Sequence, residues 1–270
     1  MKTQREKAQR FQALHEGKQA FLIPNPWDVG TALVLERLGF EALATTSAGF
    51  AFSVGKEDNK VELRVLMQHV TALAAVSDLP ISVDLGNGFG NEPETVAETI
   101  RLTAAAGAVG GSVEDYTGNE SRPFYGQEEA GERVRAAAEA AKALPFPFTL
   151  TARAENYLYG KPDLSDTIRR LQLYQEAGAD VLYAPGITTR EQIREVVRAV
   201  DRPVNVLVGL PGLTLSLKEL SEAGVRRVSV GSGLCRAAMG AFVRAAREMN
   251  EKGTFTWAEE AVPSMSRLLK

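Results

Sequence analysis

Eight short apolar runs with helical segments between them predict a (β/α)8 TIM barrel for this 270-residue chain. The runs lie near residues 20–23, 42–46, 80–84, 109–114, 147–152, 180–184, 203–207 and 227–231. A second observation is a junction that recurs four times, in which an amphipathic helix meets a glycine and then an apolar run. It appears at Glu36-Arg-Leu-Gly-Phe40, Ala105-Ala-Gly-Ala-Val109, Glu176-Ala-Gly-Ala-Asp180 and Glu222-Ala-Gly-Val-Arg226. Glycine suits the left-handed residue that ends a helix and turns the chain back toward a sheet. Length is the third observation: single α/β barrels commonly have this size, whereas an open doubly wound sheet usually has fewer strands.

A helical segment precedes the first run, and more helix follows the eighth. Leu63, Leu66, Val70 and Leu73 fall on one helical face, as do Leu164, Ile168, Leu171 and Tyr174. Thr189 with Gln192 forms a capping box for the helix that carries Ile193, Val197 and Val200. No Pro/Ser-rich linker divides the chain, so residues 1–270 are read as one domain.

Composition narrows the classes further. Hydrophobic content of 44% with 24% charge is ordinary for a globular protein. A net charge of -3 gives no electrostatic reason to expect nucleic acid or an anionic membrane. The apolar runs are far shorter than a bilayer span, and Met1–Arg10 lacks the apolar core of a secretion signal. The single cysteine, Cys235, excludes an internal disulfide and a thiolate metal site, and core packing is its default role. The chain is expected to be cytoplasmic.

In such barrels chemistry occurs at the carboxyl ends of the strands. Those ends carry Thr45-Thr-Ser-Ala-Gly49 after strand two, Asp84 after strand three, Glu114-Asp115 after strand four, and Arg153 with Glu155 after strand five. Asp84 opens a loop with three glycines, Leu85-Gly-Asn-Gly-Phe-Gly90, where the backbone can turn sharply against a ligand. Clustered carboxylates repel one another unless a cation binds. Mg²⁺ needs only one or two direct carboxylates, so Asp84 as direct ligand with Glu114 through water meets its demand. Arg153 is a fork for a substrate carboxylate or an enolate oxygen, or else a structural partner of Glu155 or Glu114. Strand alternation points Asp115 away from Glu114, toward a structural role. His15 and His69 fall on helices and are expected to be solvent-facing or packed.

These segments, taken in order from Pro24 to the eighth strand, resemble the isocitrate lyase/phosphoenolpyruvate mutase superfamily. Asn25-Pro-Trp-Asp-Val29 is similar to its opening Trp-Asp segment, which brings Trp27 to the substrate side. Thr46-Ser47-Ala48 is similar to the loop whose backbone amides hold the substrate carboxylate, and Asp58 falls where the family has an active-site aspartate. Val83-Asp-Leu-Gly-Asn-Gly-Phe-Gly90, Val113-Glu-Asp115 and Ala152-Arg-Ala-Glu155 match its metal-loop, Glu-Asp and Ala-Arg-x-Asp motifs. The resemblance implies Mg²⁺, a small 2-oxo acid or phosphonate substrate, and a homo-oligomer, dimer or tetramer, in which the last barrel helix can be exchanged between neighbours.

The departures are informative. The second metal-loop aspartate is Gly86, for which Asn87 would supply a neutral oxygen. The loop Tyr116-Thr-Gly-Asn-Glu-Ser-Arg-Pro-Phe-Tyr125 has neither the cysteine nor the histidine of the lyase branches. Arg122 is the cation available there for a mutase-type gate, and Pro185 replaces a glutamate after strand six. Carbon–carbon cleavage or decarboxylation of a small 2-oxo or 2-hydroxy dicarboxylate is the leading expectation, with Tyr116, Tyr125 or Glu155 reprotonating the enolate. Phosphonopyruvate-type P–C chemistry and a non-catalytic keto-acid-binding barrel are the alternatives.

Overall fold

The computed structural model describes residues 1–209, 211–261 and 265–269. All eight expected strands form, within about two residues of their expected limits: β1 Phe21–Ile23, β2 Leu43–Ala44, β3 Ile81–Asp84, β4 Gly110–Glu114, β5 Thr149–Arg153, β6 Val181–Tyr183, β7 Val204–Leu207 and β8 Arg227–Ser229. They pair in parallel in the order β1-β8-β7-β6-β5-β4-β3-β2. The seam between β1 and β2 is bridged by the Ala44 N–H, which donates to the Pro24 carbonyl at 3.1 Å. Asn25 stitches the same seam from above. Its Nδ2 donates to the Thr45 carbonyl, and its Oδ1 accepts the Val230 and Gly231 amides, each at 2.9 Å.

The helices before and between the strands are α1 Gln4–Glu16, α2 Val29–Arg37, α3 Ser47–Ser53, α4 Leu63–Val76, α5 Pro93–Ala105, α6 Gln127–Lys142, α7 Leu164–Ala177, α8 Arg190–Ala199 and α9 Leu217–Glu222. Leu66, Val70 and Leu73 of α4 and Leu171 and Tyr174 of α7 are buried, as their spacing predicts. Thr189 caps α8 by accepting the Gln192 amide at 3.3 Å. The junction glycines all take the left-handed conformation, with φ of 86° at Gly39, 100° at Gly107, 108° at Gly178 and 94° at Gly224.

The main apolar core lies between the strands and the outer helices. A smaller cluster of Ala8, Phe11, Phe21, Ile23, Ala42 and Val109 plugs the barrel floor beneath α1. His15 and His69 are both packed: His15 lies edge-on against Phe11 and Phe21, and His69 stacks on Phe50 at 3.9 Å.

After β8 the chain continues as α10 Gly233–Lys252, a 3-10 turn at Thr256–Glu260, and α11 Ser266–Leu269. Of the twenty residues of α10 only Cys235 is buried, in the packing role expected of it. Among the described residues no helix is long and apolar enough to cross a membrane.

Candidate active site

The carboxyl ends of β2 to β5 converge on two adjoining cavities of about 240 and 330 Å³ that share Ser47 and Asp84. The chain after β2 is tied to β3 at both of its ends. Thr45 Oγ1 accepts the Asp84 amide at 2.9 Å, and the Ser47 amide donates to Asp84 Oδ2 at 3.0 Å. Thr46 caps α3 by accepting the Gly49 amide, so the expected small-residue loop is a helix start.

Arg153 is the centre of the site. Its Nη1 meets Asp84 at 2.7 Å, its Nη2 meets Glu114 at 3.0 Å, and its Nε meets Glu155 at 2.9 Å. Of the two readings of this arginine, the structure shows the pairing with Glu114 and Glu155 and adds Asp84 to it. Arg153 is a structural partner of three carboxylates, and two of its five N–H groups remain for a ligand. Burial raises the pKa of Glu114 well above the usual carboxylate range, and Arg153 offsets part of that rise. Glu155, wholly buried behind Arg153, is raised by burial to about 6, and its Oε2 has no hydrogen-bond partner. Asp58 lies beside Asp84 on the cavity wall, where partial burial and then the Asp84 charge raise its pKa.

The loop after β3 is held from below by a residue the sequence reading missed. Arg133, on the buried face of α6, donates to the Gly90 carbonyl at 2.8 Å and also to the carbonyls of Asn87 and Asn91. Its guanidinium lies 4.0 Å over the Tyr125 ring. A single arginine among Ala130, Val134, Ala137 and Ala141 was the available signal. Phe89 takes a positive φ of 63°, a costly conformation for a side chain of that size that this clamp helps to maintain.

Several expected residues sit differently. Asn87 Oδ1 accepts the Phe89 amide at 3.1 Å, so one of its lone pairs is already committed to the turn. Trp27 is half-buried and lines neither cavity. Asp115 faces out of the barrel, as alternation predicts, and binds Arg170 at 2.9 Å and the Tyr174 hydroxyl at 2.6 Å. Arg122 pairs with Glu129 on α6 and lines neither cavity. Of the three expected proton donors, only Tyr116 lines either cavity, stacked on Tyr159 at 3.8 Å. The Tyr125 hydroxyl donates to Asn91 instead. Asn205, Arg227 and Arg236 also line the smaller cavity; the first two were visible only as polar interruptions in apolar strands.

The oxygen donors suit a hard cation. Among the described residues no three His, Cys, Asp or Glu side chains form a ready-made cage. Mg²⁺ does not require one, because it keeps several waters and takes one or two carboxylates. Asp58, Asp84, Glu114 and Glu155 gather around Arg153, and carboxylate oxygens of this kind are the donors a hard divalent ion takes.

The phosphoenolpyruvate phosphomutase family model matches residues 11–250. A solved Burkholderia cenocepacia J2315 protein named for lyase or mutase chemistry is 59% identical, with a TM-score of 0.96 over 98% of this chain and 95% of that one. Solved 2,3-dimethylmalate lyase, a PEP mutase/isocitrate lyase superfamily member, is 25% identical with a TM-score of 0.87 over 100% of this chain and 96% of that one. The 2-methylisocitrate lyase of Aeropyrum pernix is 29% identical over 89% of this chain and 79% of its own length. The chain belongs to the phosphoenolpyruvate phosphomutase family of the isocitrate lyase/PEP mutase superfamily.

Proposed function

We propose that this chain is a Mg²⁺-dependent carbon–carbon lyase that cleaves or decarboxylates a small 2-oxo or 2-hydroxy dicarboxylate through an enolate. The observation that carries this reading is Arg153 suspended among Asp84, Glu114 and Glu155 at the cavity mouth. Asp84 would hold the ion directly and Glu114 through water, and the bound ion would supply Lewis-acid polarisation of the 2-oxo or 2-hydroxy group.

The chain's own residues do the rest. Ser47 and Ala48, at the start of α3, present backbone amides to the substrate carboxylate; the Ser47 amide leaves Asp84 to do so. The spare N–H groups of Arg153 offset negative charge on the enolate. Decarboxylation needs no protein thiol to begin, which suits a loop without cysteine or histidine. Tyr116 is the expected donor that faces the cavity: it would give its phenolic proton to the enolate carbon left by carbon dioxide, and the phenolate would take a proton back from solvent to complete the turnover. The P–C alternative is disfavoured because Arg122, the cation available for a phosphoryl gate, pairs with Glu129 instead.

The test is turnover of a panel of 2-oxo and 2-hydroxy dicarboxylates with and without EDTA. At least one member should be consumed, with activity lost to chelation and restored by Mg²⁺. Turnover indifferent to EDTA, or none across the panel, contradicts the proposal. Phosphorus NMR with phosphonopyruvate reports the P–C alternative directly.

A further inference from the structure

TIM-barrel interiors are filled mainly by branched aliphatic side chains. Here the smaller cavity is lined by Ser82, Ser112, Asn205, Arg227 and Ser229, all nearly or fully buried, with buried Thr151 bonded to Arg227 behind them. Arg227 is the anomaly among them. It is 4% exposed, and its hydrogen-bond partners among the described residues are all neutral. Its Nε donates to Asn205 Oδ1 at 2.9 Å, its Nη2 to Thr151 Oγ1 at 3.0 Å, and its Nη1 lies 3.5 Å from His15 Nε2. His15 Nδ1 is engaged by the Phe11 carbonyl at 2.8 Å, which leaves Nε2 as the acceptor facing the guanidinium.

The other buried arginines differ. Arg153 meets three carboxylates and Arg170 meets two, while Arg133 meets three carbonyls and an aromatic face. A buried cation without an anion is costly, and burial, opposed only in part by Tyr183, lowers the pKa of Arg227 to about 10. At least two of its five N–H groups are left over, and the residue lines the cavity that holds Asp84 and Ser47. Arg236, on the rim of the same cavity, has no carboxylate partner among the described residues.

We infer that Arg227, oriented by Asn205 and Thr151, is the anchor of an anion subsite in the barrel floor that receives the distal carboxylate of the substrate. The inference rests on reading the cavity as the site for a small 2-oxo or 2-hydroxy dicarboxylate, and it adds where the second carboxylate goes, down into the barrel, and which residue receives it. Arg153, already shared among three carboxylates, binds the reacting end. Arg227 selects for the far end.

Calorimetric titration at fixed Mg²⁺ tests this with malate and 2-hydroxybutanoate, which share a four-carbon skeleton but differ in the distal carboxylate. Oxalate, too short to span both ends, reports the strand-end site. The wild type should bind malate about tenfold or more tightly than 2-hydroxybutanoate. Arg227→Met should erase that preference while oxalate binding persists, and Arg227→Lys should keep part of it. A wild type with no preference, or an Arg227→Met variant that retains it, overturns the subsite.

If Arg227→Met does not fold, ¹⁵N-arginine NMR of the wild type, assigned with Arg227→Lys, decides. The buried Nε–H of Arg227 should shift with malate and not with 2-hydroxybutanoate, and an unmoved resonance overturns the inference. Oxalate binding without distal preference removes the subsite alone. Distal preference without turnover of any acid removes the lyase reading alone.

Discussion

Arg153 concentrates the chemistry of this site, and Glu155 is the partner whose environment is most sharply set. Glu155 has no solvent contact, so its charged form is held only by Arg153 and is otherwise penalised by burial. Its folded pKa of about 6 lies above its unfolded value of about 4.3. The folded protein therefore holds this proton more tightly than the unfolded chain does. The group's contribution to stability is most favourable below the unfolded value and falls as pH rises through about 6, by about 2 kcal/mol in all. Denaturant unfolding of wild type and Glu155→Gln from pH 4 to 8 measures this. The wild-type advantage should shrink by roughly that amount across the range, and a pH-independent difference would contradict it. The strand ends Asp84, Glu114 and Arg153 were legible in the sequence because alternation and strand order fix where they point. The triple pairing of Arg153 was not, because its length lets it reach three different strand ends.

Among the elements, the helix-to-strand junctions were the most legible, since each glycine answers a local backbone demand. Gly224 also answers a packing demand: a Cβ there would lie 2.6 Å from Val197 Cγ1, on top of a φ of 94°. Gly224→Ala should therefore destabilise by about 2 kcal/mol, combining left-handed strain with a clash against α8. Chemical denaturation should show a lowered midpoint at unchanged slope, and a neutral substitution would mean that the α9–β8 junction relaxes freely. Arg133 beneath the 86–91 loop was not legible, because its contacts are with carbonyls some forty residues away. The sequence reveals only that an arginine stands on an alanine-lined face. The Asn25 seam escaped for the same reason, since its partners lie up to 206 residues distant.

At the scale of the molecule, α10 is the unfinished part. Met239 (48% exposed), Phe242 (65%), Val243 (40%) and Met249 (42%) form an apolar stripe without cover among the described residues. Such a stripe on a surface helix calls for a partner, and the family resemblance supplies one, a second copy exchanging this helix. Light scattering should then find a dimer or tetramer, and Phe242→Asp should shift it toward monomer; a monodisperse wild-type monomer would end that proposal. The eight-stranded closure was readable from spacing alone, whereas the exposure of α10 was announced only by the family resemblance, because its periodicity is that of any amphipathic helix.

The central claim is that Asp84 and its neighbours form a divalent-ion site for a small oxo or hydroxy acid. Calorimetric titration of oxalate, an enolate mimic, into wild type and Asp84→Asn with and without Mg²⁺ tests it most directly. The account predicts that oxalate binds the wild type only when Mg²⁺ is present and does not bind Asp84→Asn under either condition. Oxalate binding that ignores Mg²⁺, or that survives in Asp84→Asn, would contradict it.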